Sequence, residues 1–169
     1  MDSREIFLEA IHYEKKVRDL YFSAVEKVDD KRGKALFQTL GDDEQSHIDF
    51  LEYSLEVLQS EGVIDVTKLN TPIPAREKIE EQIQTMSAEI PEKMLGDVKR
   101  LLDAALKLEI ETSNYYKKAS ENAEGRIKEV LEKFLEIENR HIDIVQIELD
   151  HAQKSGHWFN FMEISMEVE

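Results

Sequence analysis

The stretch "DDEQSHIDF" (42–50) decides how the chain is read, because "EIENRHIDI" (136–144) repeats its core. Both contain Glu-x-x-His-Ile-Asp, and Glu44 and His47 map onto Glu138 and His141 at an offset of 94. A second match lies upstream of each. "AIHYEKKVRDLYFSA" (10–24) aligns with "ALKLEIETSNYYKKA" (105–119) at an offset of 95, pairing Ala10 with Ala105, Glu14 with Glu109, Tyr21 with Tyr116 and Ala24 with Ala119. Each half therefore carries a lone glutamate, then a Glu-x-x-His. Residues three apart on a helix lie one above the other, about 60° apart in azimuth, so Glu and His at this spacing can approach one ion.

Periodicity places both matches on helices. Asp2 with Glu5 reads as a capping start. Ile6, Phe7, Ala10, Ile11, Glu14, Val17, Tyr21 and Ala24 share one face of a first helix at about 3–28. "DDKRGK" (29–34) is a turn. A second helix, about 32–60, carries Leu36, Phe37, Leu40, Glu44, His47, Leu51, Leu55 and Leu58 on one stripe and ends at Gly62. Segment 62–90 holds two of the three prolines, Pro72 and Pro74, and reads as a crossover with a short helix at 75–86. Pro91 suits a helix start. A third helix follows at about 91–123, with Leu101, Leu102, Ala105, Leu106, Glu109, Thr112, Tyr116 and Ala119 near one face. "ENAEGR" (121–126) turns the chain into a fourth helix, about 126–154. The tail 156–169 contains Trp158, Phe159 and Phe161, which cover one end of the helices or line a dimer contact. Short turns force antiparallel neighbours and a long connection lets two hairpins pack together. The expected fold is all-α: one domain, 1–169, a four-helix bundle of two antiparallel hairpins joined by a crossover.

Composition narrows the function. With 37 acidic and 22 basic residues the net charge is −15, which repels nucleic acid and anionic membrane. The absence of cysteine excludes disulfides, thiolate metal sites, iron–sulfur clusters and cysteine nucleophiles. No apolar run approaches the ~20 residues that span a bilayer, and "MDSREIFLEA" has no signal-peptide core. A cytoplasmic location is the expectation.

Two half-sites about a pseudo-two-fold axis would bring four carboxylates and two imidazoles together: Glu14, Glu44, His47, Glu109, Glu138 and His141. Ferritin-like di-iron and di-manganese proteins use this arrangement, and the six positions are matched against it. Four buried glutamates without partners would be costly. Two divalent cations bring +4 against −4, and a bridging oxide could offset oxidation to two trivalent ions. Oxygen and imidazole ligands fit iron or manganese, and zinc would also bind. Glu9–His12 and Glu148–His151 share the spacing but not the place. His12 lies about 200° from Glu14. Glu148 and His151 lie roughly 15 Å beyond Glu138 and His141, and both pairs are expected to face solvent. His157 belongs to the tail.

At these residues the chain resembles the rubrerythrin-like branch of the ferritin-like superfamily. Glu14 with Tyr21, "EQSH", Glu109 with Tyr116, "ENRH", the crossover and "GHWFNF" carry the resemblance across nearly the whole chain. It implies a non-haem centre of two iron ions with an oxo or hydroxo bridge. Glu14 and His47 would hold one iron, Glu109 and His141 the other, and Glu44 and Glu138 would bridge. It also implies reduction of peroxide or dioxygen, and a homodimer, which the crossover would let exchange helices. Two features depart from the family. The four-cysteine rubredoxin domain has no counterpart, so electrons would come from an external donor protein. Thr112 stands where the family has a further glutamate, and Glu111 lies about 200° from Glu109. Iron binding or storage without turnover, and a metal-free helical scaffold, are the other readings.

Around the six, Tyr21 and Tyr116 could hydrogen-bond a bridging carboxylate of the opposite half, supply an electron, or serve only as interface tyrosines. Asp43 could orient His141; its mirror position is Ile137, so this support would be one-sided. Asp49 and Asp143 are expected to be exposed. Gly41, one turn before Glu44, permits close packing or a bulge, against about 1 kcal/mol of lost helix propensity.

Overall fold

The computed structural model describes residues 2–81 and 88–159. Its helices are α1 (Ser3–Lys27), α2 (Lys31–Gln59), α3 (Arg76–Glu81), α4 (Glu92–Glu121) and α5 (Gly125–Ser155), with a 3₁₀ turn at Val66–Lys68. Two short strands, β1 (Ala88–Glu89) and β2 (His157–Trp158), pair antiparallel. The protein is therefore all-α apart from this small ladder. Among the described residues no helix is long and apolar enough to cross a membrane. Residues 82–86 of the expected crossover helix and 160–169 of the tail, including Phe161, lie outside the described residues.

Local chemistry sets the helix ends. Asp2 Oδ1 accepts from the Glu5 amide (2.8 Å) and Glu5 Oε2 accepts from the Asp2 amide (3.2 Å), closing a capping box. Asp30 caps α2 by accepting from the Gly33 amide (3.0 Å). The left-handed residue after α2 is Glu61 (φ 58°), not Gly62, whose amide closes the end on the Val57 carbonyl (2.9 Å). Pro91 is the N-cap of α4, as its fixed φ and missing N–H suit a helix start. Gly156, at φ 69°, ends α5 and turns the chain into β2.

The tail folds back along α5. Ile90 donates to the Gly156 carbonyl (2.8 Å). Trp158 Nε1 donates to Asp30 Oδ2 (2.7 Å), so one carboxylate caps α2 and anchors the tail. A Cβ at Gly33 would come within 2.8 Å of the Trp158 ring, so only glycine lets the tail pass here. The covered end is the α1–α2 turn.

Packing pairs α1 with α2, α4 with α5, and α1 with α4. The interior has two apolar parts. One contains Val17, Tyr21, Leu36, Phe37, Val98, Leu102, Ile144 and Trp158. The other contains Phe7, Ile11, Ile48, Leu51, Tyr116, Leu131 and Phe134. Glu14 on α1, Asp43, Glu44 and His47 on α2, Glu109 on α4, and Glu138 and His141 on α5 each fall between residues of the first part and residues of the second. The helices thus carry a polar layer across the middle of an otherwise apolar interior. Gly41 lies in close packing, as a Cβ there would strike the Phe22 ring.

Candidate metal centre

The polar layer is built from all four long helices. Glu14 comes from α1, Asp43, Glu44 and His47 from α2, Glu109 from α4, and Glu138 and His141 from α5. Glu14, Glu44, His47, Glu109, Glu138 and His141 are each fully buried, at 0% exposure. Their ligand-capable atoms form two sets of four, each within 4.8 Å of one another: Glu14, Glu44, His47 and Glu138, and Glu44, Glu109, Glu138 and His141. Glu44 and Glu138 belong to both sets. That is the pattern of two neighbouring ions with two shared carboxylates.

Seven buried side-chain atoms here have no hydrogen-bond partner: Glu14 Oε2, both oxygens of Glu44 and of Glu138, Glu109 Oε2 and His47 Nδ1. Buried polar groups are otherwise nearly always satisfied, and each orphan costs about 1–3 kcal/mol or more when charged. His141 Nδ1 does lie 2.7 Å from Glu44 Oε1, but without the alignment of a hydrogen bond. These orphans all belong to the six-residue set. The residues fit a pair of divalent cations, which would use the free oxygens as ligands and balance four carboxylates.

The remaining polar atoms orient the six. Tyr116 donates to Glu14 Oε1 (2.7 Å) and Tyr21 to Glu109 Oε1 (2.8 Å), each crossing to the other half. Both tyrosines therefore hold the lone glutamates, not the shared Glu44 or Glu138, because their helices α1 and α4 pack on each other. Asp43 does more than orient one histidine. Its Oδ2 accepts from His141 Nε2 (2.6 Å), and its Oδ1 lies 3.3 Å from His47 Nε2. One carboxylate steadies both imidazoles, because the rings lie with centroids 5.6 Å apart. His47 Nε2 also lies 3.3 Å from the Asn70 carbonyl. With acceptors on each Nε2, the protons sit there and the Nδ1 atoms face the glutamates. Asp43, His47 and His141 also form a third set within reach of one ion. The Asp43 carboxylate is already occupied, since Thr71 Oγ1 donates to its Oδ2 as well (2.6 Å).

Electrostatics agree with the geometry. Burial, then the charge of Glu44, pushes Glu14 well up from the ordinary glutamate range and raises Glu109 as well. Glu138 is raised by burial and by Glu14, Glu44 and Glu109. Burial also acts on Glu44, but the charge of His141 outweighs it and holds Glu44 low. For Asp43, hydrogen bonds from His141 and His47 outweigh burial and keep it ionised. Burial would lower both histidines. Asp43 and Glu44 instead lift His47 to about 10, and the charges of Glu109 and Glu44 raise His141. Without ions the centre stores protons at the sites where cations would bind.

Several expectations need correction. Glu148 is buried, not solvent-facing, and its Oε2 accepts from the Phe159 amide (3.1 Å). His151 is half-buried, with its ring 5.1 Å from that of Phe159. The cause is the tail, which covers this face of α5 and was not placed there by helical spacing. Asp143 is half-buried and accepts from Arg76 of α3 (3.3 Å). Glu9, His12 and Asp49 are exposed, as spacing predicts. His157 lies in β2, with Nδ1 2.6 Å from the Ser155 carbonyl. Thr112 Oγ1 donates to the Leu108 carbonyl (2.8 Å), so its hydroxyl is engaged with its own helix. Thr71 and Asn70 were not foreseen, since the crossover has no periodicity that points a residue inward. Comparison of the chain with family models, with curated proteins and with solved structures finds no match in any of the three.

Proposed function

We propose that the chain is a ferritin-like four-helix bundle of rubrerythrin-like type that holds two iron ions and reduces hydrogen peroxide, or dioxygen, with electrons from an external donor protein. The observation that carries this reading is the pair of four-residue sets sharing Glu44 and Glu138, whose oxygens have no other partner. Glu14 and His47 would hold one ion and Glu109 and His141 the other. Manganese or zinc would fit the same donors. When bound, two ferrous ions supply two electrons, and with two protons one peroxide becomes two waters.

The protein's own part is geometry and protons. Asp43 keeps each Nε2 protonated, so both Nδ1 lone pairs are free for metal once their protons leave. Tyr116 and Tyr21 fix Glu14 and Glu109, each leaving one oxygen turned toward the centre. Full burial lowers the local dielectric and strengthens every charge interaction there.

The test begins with metal analysis of freshly purified protein. It continues with anaerobic titration of the Fe(II)-loaded form with peroxide. About two metals per chain, one peroxide consumed per centre and turnover with added reductant support the proposal. Uptake of iron without turnover supports storage instead. Protein without metal, and unable to take it up, ends both readings.

A further inference from the structure

Tyr116, bonded to Glu14, is the inner member of a row of three tyrosines. Tyr115 lies beside it, ring centroids 5.6 Å apart and edge to face. Tyr13 stacks on Tyr115 at 4.7 Å. Tyr116 is fully buried, whereas Tyr115 and Tyr13 are half-buried. The row leads from a carboxylate of the centre to the surface between α1 and α4. Electron tunnelling falls off steeply with distance, and three touching phenols divide one long transfer into short ones.

The internal repeat supplies a control. At the offset of 95, Tyr13 corresponds to Leu108 and Tyr115 to Leu20. Both leucines are half-buried and pack against the apolar interior. Leucine therefore meets the packing demand at this place in the other half, and only one half has phenols there. Among the described residues, the other aromatic contacts leading away from the centre pass through phenylalanine, which is far harder to oxidise. Tyr21 meets Phe37 (6.3 Å), and Tyr116 reaches Tyr53 through Phe134 and Phe50.

We infer that Tyr116, Tyr115 and Tyr13 relay single electrons from the surface to a half-reduced centre. The inference rests on the peroxide-reducing function proposed above. Peroxide needs two electrons and two protons to become two waters, and a centre with one ferrous ion provides one electron. Tyr116 gives the second and passes its hydroxyl proton to Glu14 Oε1 along the 2.7 Å bond. Tyr115 refills Tyr116, which recovers that proton, and Tyr13 refills Tyr115. Tyr115 donates to the Ile6 carbonyl (2.6 Å). That carbonyl cannot take the proton away, so the proton stays in the Tyr115–Ile6 hydrogen bond while the electron passes, and Tyr13 restores this transient carrier with an electron alone. Tyr13 releases its proton to solvent and is restored there by a one-electron reductant such as ascorbate, which returns an electron and a proton. Lys16 Nζ lies 5.4 Å from the Tyr13 ring centroid, and this positive charge favours re-reduction. The row thereby gives a one-electron shortfall a directed outlet instead of a diffusing radical.

The test loads the protein with one Fe(II) per chain, adds peroxide with a nitroso spin trap and no reductant, and maps adducts by peptide mass spectrometry. The expected label is on Tyr13, at least tenfold above Tyr53. Tyr115→Phe should remove it and increase trapping at Tyr116, whereas Tyr53→Phe should leave it unchanged. A merely structural Tyr115 would not redirect the label. Ascorbate should abolish the Tyr13 adduct in the wild type. Equal labelling of Tyr13 and Tyr53, or a Tyr13 label that survives Tyr115→Phe, overturns the relay. Peroxide consumed without a Tyr13 adduct overturns the relay alone; no peroxide consumed overturns the proposed function with it.

Discussion

Asp43→Asn is the perturbation that most directly probes how the centre is held. The side chain keeps its size, but one of its two oxygens becomes an NH₂ group that cannot accept. Both oxygens are in use: Oδ2 by His141 and Thr71, and Oδ1 by His47. The amide can therefore serve one histidine and must fail the other. The His141 contact is short and charge-assisted, a class that contributes about 1.5–3 kcal/mol. The 3.3 Å contact to His47 is longer and belongs with ordinary bonds of about 0.5–1.5 kcal/mol. At 1.4 kcal/mol per tenfold, the ion on His141 should bind about 10- to 100-fold more weakly if the NH₂ group faces that ring, within the range for loss of a group behind a metal-bound histidine. The ion on His47 should lose about 2- to 12-fold if the NH₂ group faces His47 instead. Anaerobic calorimetric titration with Co(II) at fixed pH, with a thermal melt as folding control, measures both steps. Unchanged affinity at both sites, or losses of about tenfold or more at both, would refute the reasoning.

Glu138→Ala should abolish binding of the metal pair, since Glu138 belongs to both ligand sets, while His12→Ala on the exposed face of α1 leaves metal content unchanged; plasma emission analysis of purified variants decides. For the metal-free protein, His47 is raised from 6.5 to about 10, so its stabilising contribution is complete below 6.5 and lost as pH climbs through about 10. Glu14, Glu109 and Glu138 are raised as well and act in the same direction above 4.5. The melting temperature of the metal-free form should thus fall with pH across 6.5–10 and that of the metal-loaded form much less; a flat or rising metal-free profile counts against the assignment. Glu148→Ala leaves the Phe159 amide without its buried acceptor and should cost about 1–3 kcal/mol in urea unfolding, with metal content unaffected.

Helical spacing sufficed for the long elements. The periodic stripes of α1 and α2 and the caps at Asp2 and Pro91 place their limits within a residue or two. The repeat also singled out the six residues that meet in the polar layer, because ligand spacing on a helix is a local property. What escaped is what no local pattern encodes. Thr71 reaches Asp43 only through the path of the crossover, and Glu148 is buried only because the tail returns over it. Tyr13 and Tyr115 are 102 residues apart and come from helices whose facing surfaces become visible only once α1 packs on α4.

The solitary Asp43 has a consequence for how such a protein can be divided. Its counterpart is Ile137, buried in apolar surroundings. Were the assembly made from two identical copies of one hairpin, that position would have to be acidic twice or not at all. Twice would crowd a sixth carboxylate against two histidines that need only one; not at all would leave both rings unsupported. Covalent fusion of the halves removes this constraint, because a unique residue can then serve both imidazoles from one side. The two hairpins have become non-interchangeable, and neither, duplicated by itself, would rebuild the whole.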